Sequence, residues 1–213
     1  MSRKVLSRKV LSRKRGLMGG TFDPIHLGHL LAAGVAREAA GLDNILFMPA
    51  GKPPHKQESS ITAAEHRFQM VAAAISGTPW FTVSDMETTR EGATYTVDTL
   101  ERLVRMEPET IWYYIIGADV VCDLENWRQI ERVSGMCRFL ALQRSGFPMR
   151  RIRETMRLLK DRYGMDITLI SAPRIDISSS EIRNREARGL PIRYMVPEAV
   201  ERYIHEHGLY KKR

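Results

Sequence analysis

The sequence is short of cysteine, of long apolar runs and of acid near its start, and each shortage excludes something. Cys122 and Cys137, two in 213 residues, are too few for a disulfide framework or a zinc site, and their spacing fits no metal or redox motif. A reducing, cytoplasmic setting is the expectation. The longest stretch without Asp, Glu, Lys or Arg, Phe68 to Ser84, covers 17 residues and is interrupted by Gly77 and Pro79, so no membrane span is expected. The first residues offer only the apolar pairs Val5-Leu6 and Val10-Leu11, not the continuous apolar segment of a secretory signal.

The missing acid bears on charge. The chain has 33 Lys+Arg against 25 Asp+Glu, a net +8 and a pI near 9.7, ordinarily a pointer to nucleic acid or an anionic membrane. Residues 1–15 hold Arg3, Lys4, Arg8, Lys9, Arg13, Lys14 and Arg15 with no acid, which leaves 26 cations against 25 acids, a net +1, for the other 198 residues. The body is nearly neutral, and a nucleic-acid partner is not expected. The tail reads SRKVL, SRKVL, SRKR. A five-residue repeat advances a helix by about 500°, so successive Val-Leu pairs point roughly 140° apart and build no apolar face. Residues 1–14 are therefore expected to form a disordered tail and residues 15–213 a single domain. The tail reads as an extension outside the chemistry; an arm for nucleic acid or an anionic surface, or an organelle address, are the alternatives.

What is present beyond Gly16 is strand alternating with helix. Arg15–Met18 leads as a strand into Gly19-Gly20, and Leu27–Ala40 has the apolar spacing of a helix ending at Gly41. Strands are expected at Asn44–Pro49, Trp80–Ser84, Ile111–Ile116, Cys137–Leu142 and Ile167–Ser171. Helices are expected from Thr62 to about Ser76, over Thr96–Met106, over Met149–Tyr163, from Ser179, and from Pro197 to Gly208. Thr62-Ala63-Ala64-Glu65 has the form of a capping box. Strict alternation implies an α/β fold, a Rossmann-like doubly wound and mainly parallel sheet with helices on both faces, and ligands at the carboxyl ends of its strands.

The segment Gly19-Gly20-Thr21-Phe22-Asp23-Pro24-Ile25-His26-Leu27-Gly28-His29 joins the first strand to the first helix. Two glycines let the backbone turn sharply and approach a ligand, and the amides of a helix N-terminus suit phosphate oxygens. His26 and His29 lie three residues apart on one side of the first turn, with Gly28 between them leaving space for a ligand. This stretch resembles the His-x-Gly-His signature of a nucleotidyltransferase superfamily related in fold to class I aminoacyl-tRNA synthetases. Further segments follow in order: Phe47-Met48-Pro49, Pro53-Pro54-His55-Lys56, Glu91-Gly92-Ala93-Thr94-Tyr95-Thr96, Ile116-Gly117-Ala118-Asp119, Trp127, and Ile177-Ser178-Ser179-Ser180-Glu181-Ile182-Arg183. Together, over about Gly16 to Tyr210, they resemble the bacterial nicotinate-nucleotide adenylyltransferases.

That resemblance implies adenylyl transfer from ATP to nicotinate mononucleotide, giving nicotinate adenine dinucleotide and pyrophosphate in NAD biosynthesis, by direct in-line attack without a covalent enzyme intermediate. It implies His26 and His29 as catalytic contacts to the ATP phosphates. Gly19, Gly20, Thr21, Phe22 and Gly28 would line the ATP site, and Ser178, Ser179, Ser180 and Arg183 would clamp the outer phosphates. Three serines at a helix start also suit an ordinary N-cap. The mononucleotide would meet His55 and Lys56 on the Pro-rich loop, Thr94 and Tyr95, Gly117 and Asp119, the stacking face of Trp127, and Arg144. Ser180 stands where the family usually has Thr, and Ser145 where it commonly has Pro. Mg²⁺ is expected to arrive with ATP, with no protein metal ligand assigned. ATP and nicotinate mononucleotide are the expected partners; a homo-oligomer is compatible with a sequence that does not set the stoichiometry. Other readings of the same motifs are transfer to nicotinamide mononucleotide or phosphopantetheine, or nucleotide binding without turnover.

Overall fold

The computed structural model describes residues 12–53, 61–143, 149–173 and 175–211. Six strands, β1 (Arg13–Gly20), β2 (Asn44–Pro49), β3 (Phe81–Val83), β4 (Thr110–Gly117), β5 (Arg138–Gln143) and β6 (Ile167–Ser171), form one sheet in the order β3-β2-β1-β4-β5-β6. Every neighbouring pair is parallel, as strand-helix alternation requires. β2 (NILFMP) is buried throughout, and such a run suits an interior parallel strand covered on both faces.

Side chains alternate along the strands and divide the core in two. Met18, Ile45, Phe47, Tyr113, Ile115, Leu140 and Leu142 face helices α1 (Leu27–Ala40), α2 (Ala64–Ile75), α6 (Ser179–Ala187) and α7 (Glu198–Glu206). Leu17, Leu46, Met48, Trp112, Ile116, Phe139 and Ala141 face α3 (Thr96–Met106), α4 (Ile130–Met136) and α5 (Met149–Tyr163). The doubly wound architecture is as expected, and α1, β2, α3, α5 and β6 have the expected bounds.

Three differences have physical causes. β1 starts at Arg13, so Arg13 and Lys14 belong to the sheet and not to the tail: they run beside Thr110 and Ile111, and Lys14 exchanges hydrogen bonds with Asp43. Residues 1–11 lie outside the described residues. The expected capping box does not form; α2 starts one residue later on Ala63, without a side-chain cap, because the Thr62 amide donates to Asp23 (3.3 Å) and its carbonyl accepts from Arg67 (2.8 Å). Between β4 and β5 stand a 3₁₀ segment, Ala118–Asn126, and the short α4, neither expected, since ADVVCDLEN and IERVSGM are too short to show a helical period.

Candidate active site

β1 and β4 are neighbours from which the chain leaves to opposite faces, α1 to one and the 3₁₀ segment to the other. This is the switch point at which a doubly wound sheet opens a crevice. A cleft of about 250 Å³ lies there, lined by Met18 and Gly19 from β1, His26, Gly28 and His29 from the start of α1, Tyr114 and Gly117 from β4, Trp127, and Ile175 and Ile177 ahead of α6.

The loop from β1 to α1 is built by close contacts that bear on the two histidines. A side chain at Gly19 would collide with the Tyr114 hydroxyl, and one at Gly20 would stand 3.0 Å from the Phe22 ring. Phe22 adopts φ +50°, unusual for a residue with a side chain. Its ring is buried against Phe47 (5.9 Å) and meets His29 edge-on at 5.1 Å. Phe22 thus supports His29 from behind.

His26 is the N-cap of α1. Its N–H donates to His29 Nδ1 at 3.2 Å, which places the proton of a neutral His29 on Nε2. The two imidazoles stack with centroids 3.7 Å apart and 26° between planes. Gly28 serves this pair: a side chain there would come within 3.0 Å of His26 Nδ1, so the space expected for a ligand is partly filled by the His26 ring. The amide array of α1 is also less open than expected, because the Leu27 amide donates to the Met195 carbonyl at 3.0 Å. Imidazole donors therefore carry more of any anion contact at this point.

α6 closes the loop from the other side. The Ser179 hydroxyl donates to the Pro24 carbonyl (2.9 Å), and Arg183 donates to the Asp23 carbonyl (2.7 Å) and the Ser180 hydroxyl (3.3 Å). Ser178 is the helix N-cap, its hydroxyl accepting from the Glu181 amide at 3.1 Å. All three hydroxyls thus serve the fold, and with the Glu181 amide capped by Ser178, what α6 offers an anion is the amides of Ser179 and Ser180, which precede the first hydrogen bond of the helix.

Arg67, Asp23 and Tyr210 were not anticipated. Arg67 is 1% exposed and donates to the carbonyls of Thr62 (2.8 Å), Thr21 (2.8 Å), Ala50 (2.6 Å) and Gly51 (2.9 Å). Burial lowers its pKa, and the nearby Asp23 carboxylate opposes that shift. Asp23 itself accepts from the Tyr210 hydroxyl at 2.7 Å; burial, with the adjacent carboxylate, pushes the Tyr210 phenol well up. The signal for Arg67 was a cation on the apolar stripe of α2, three and four residues before Met70 and Val71. For Tyr210, 187 residues from Asp23, the sequence carried none.

Of the residues assigned to the mononucleotide, Gly117 and Trp127 line the cleft with the histidines. Trp127 packs edge-on to Tyr114 (5.5 Å, 76°). Asp119 is exposed and folds back against Gly117. Thr94 and Tyr95 stand beside the loop after β2: the Thr94 amide donates to the Lys52 carbonyl (3.3 Å), and the Tyr95 ring lies under the Arg128 guanidinium at 4.5 Å. Nearby, Glu87 accepts from the Thr99 hydroxyl at 2.6 Å, and burial pushes its carboxyl up. His55, Lys56 and Arg144 lie outside the described residues. No described helix is long and apolar enough to cross a membrane.

Comparison with known proteins gives concordant matches. The sequence profile of the cytidylyltransferase-like family matches residues 17–185. A probable nicotinate-nucleotide adenylyltransferase of Thermoanaerobacter sp. (strain X514) is 44% identical over 198 residues, 92% of this chain and 94% of that protein. One of Moorella thermoacetica is 43% identical over 199 residues, 93% and 92% of the two chains. One of Thermus thermophilus is 42% identical over 196 residues, 92% and 98%. Among solved structures, Plasmodium falciparum nicotinic acid mononucleotide adenylyltransferase complexed with APC superposes with a TM-score of 0.74 at 22% identity, covering 93% of this chain and 97% of that one. The same protein complexed with NaAD gives the same figures. At that identity the likeness shows the fold.

Proposed function

Because the chain belongs to the cytidylyltransferase-like family and, within it, to the nicotinate-nucleotide adenylyltransferases, we propose that its switch-point cleft transfers the adenylyl group of ATP to nicotinate mononucleotide. The observation that carries the assignment of the chemistry is the stacked pair His26 and His29, held at the start of α1 across the crevice from Gly117 and Trp127.

The reaction asks little covalent chemistry of the protein. A phosphate monoester has its second pKa near about 6, so the attacking phosphate is largely ionised at neutral pH. No enzyme nucleophile is required, and none is proposed. What the chain supplies is alignment of two polyanions and donors for the charge that builds on the α-phosphoryl and pyrophosphate oxygens. His26 and His29 would supply ring N–H donors, the His29 ring fixed by the His26 backbone amide and by Phe22, and the His26 ring stacked on it. The Ser179 and Ser180 amides at the start of α6 would meet the outer phosphates, and Trp127 would offer a flat face to the pyridine ring. His55, Lys56 and Arg144, outside the described residues, would meet the mononucleotide as the family resemblance implies.

Among the described residues the cleft lining offers imidazole nitrogens and backbone amides, with the Asp119 carboxylate beside Gly117 at its edge, a set suited to phosphate oxygens and to a water-clad ion more than to a bare cation. Mg²⁺ arriving with ATP would shield charge on the phosphates, and Asp119, exposed beside Gly117, would accept from its water shell.

His26→Ala and His29→Ala, each removing one donor, should lower turnover about 10²–10³-fold with circular dichroism and melting unchanged beyond a few degrees. Near-normal turnover in either variant would end the assignment. Exchange of labelled pyrophosphate into ATP should require the mononucleotide; exchange without it would reveal an adenylyl-enzyme and overturn direct attack.

A further inference from the structure

The Arg67 guanidinium is too deeply buried to touch a substrate, yet four of its five N–H donors end on backbone carbonyls next to the proposed site. We propose that Arg67 is a positioning residue, a clamp that holds the loop after β1 and the loop after β2 in one fixed relation and so sets the alignment of both substrates. The inference rests on the proposed adenylyl transfer for its kinetic consequence, though not for the clamp itself.

The geometry is specific. Thr21 lies in the segment that leads to His26, whereas Ala50 and Gly51 begin the segment that leads to Pro53-Pro54-His55-Lys56. Nη1 alone bridges the two loops, donating to Thr21 at 2.8 Å and to Ala50 at 2.6 Å. Nη2 holds Gly51, and Nε holds Thr62, at the far end of the second segment. Thr62 is gripped from both sides, because its amide donates to the carboxylate of Asp23 in the first loop. The backbone adds one direct tie, the Ala50 amide on the Gly20 carbonyl at 2.8 Å.

A buried cation is expensive unless its donors are satisfied. Among the described residues the Arg67 side chain bonds carbonyls and no carboxylate, so the fold retains a charge where an apolar side chain would fill the same core space. What an apolar residue cannot supply is a planar fork reaching four carbonyls at once. Lysine cannot supply it either: its ammonium is a point donor with three protons, and burial shifts its pKa readily.

The test uses the full chain with Arg67→Lys and Arg67→Met, read by hydrogen exchange and by steady-state kinetics with ATP and nicotinate mononucleotide. In Arg67→Lys, amide exchange should accelerate together in residues 20–26 and 49–53 while β4 and β5 stay protected. Its kcat/KM for the mononucleotide should fall about 100-fold, most of it in kcat, as expected of a displacement near 1 Å. Arg67→Met should move both readouts further in the same direction; if it does not fold, Arg67→Lys decides. Exchange that changes in neither loop or only one, or a kcat/KM within roughly threefold of wild type, overturns the clamp. Absence of turnover in the wild type with this acceptor would instead refute the proposed reaction, and the exchange result would still decide whether Arg67 couples the loops.

Discussion

Gly28→Ala sets two physical effects against each other. Gly28 is the second residue of α1 and its φ lies outside the left-handed region, so alanine can adopt its backbone conformation. On propensity alone the change should stabilise the helix by about 0.4–1 kcal/mol. The geometry opposes this: the added Cβ would stand 3.0 Å from Nδ1 and 3.1 Å from Cε1 of His26. His26 is 4% exposed and its ring stacks at 3.7 Å on His29, so it cannot retreat without moving the second imidazole. Overpacking of this kind costs about 1–3 kcal/mol. The net expectation is a loss between about 0 and 2.6 kcal/mol, lowering Tm by up to about 10 °C in a chain of this length. Turnover should fall further than stability, about 10–100-fold, because both donors are displaced. The assay is pyrophosphate release beside thermal melting, with His26→Ala as the reference background. There the obstacle is gone, and Gly28→Ala should gain the helix term of about 0.4–1 kcal/mol. A Gly28→Ala variant in the wild-type background with full turnover and a raised Tm would refute the reasoning.

Trp127→Ala should raise KM for nicotinate mononucleotide by about 5–150-fold, a stacking loss of roughly 1–3 kcal/mol, with a far smaller change in KM for ATP; equal changes would mark Trp127, edge-on to Tyr114, as packing alone. Glu87→Gln tests the sign of a linkage. Burial raises the Glu87 carboxyl, so the folded state holds the proton more tightly, and the stability this confers is present below the ordinary Glu range and lost as pH rises through the folded value. Melting from about pH 4 to about pH 7 should show Gln gaining on wild type as pH rises; a constant difference would contradict this. Removal of residues 1–11 should leave turnover unchanged, whereas a cut through Lys14 should lower stability, since Lys14 exchanges hydrogen bonds with Asp43. Melting and turnover of the two truncations would check both statements.

Periodicity made most of the fold legible. Strands such as NILFMP and helices such as Thr96–Met106 announce themselves within a few residues, and Gly41 at φ +59° ends α1 where a left-handed residue was needed. The site was legible as far as it is local: His26, Gly28 and His29 share one turn, and the first strand supplies Gly19. Residues that join distant parts of the chain were not. Arg67 reads as one more helical cation until the chain folds the Thr21, Ala50 and Gly51 carbonyls around it, and Tyr210 finds Asp23 only through the docking of the last helix. Capping was the least reliable of the local signals. Thr62 had the pattern of an N-cap, but tertiary hydrogen bonds to Asp23 and Arg67 took its backbone first.

Pyrophosphate release by the wild-type chain, with ATP and with each phosphate acceptor supplied separately, bears most directly on what the cleft does. Nicotinate mononucleotide should be used with the highest kcat/KM, ahead of nicotinamide mononucleotide and phosphopantetheine; preference for either of those, or no release with any, would contradict the proposed function.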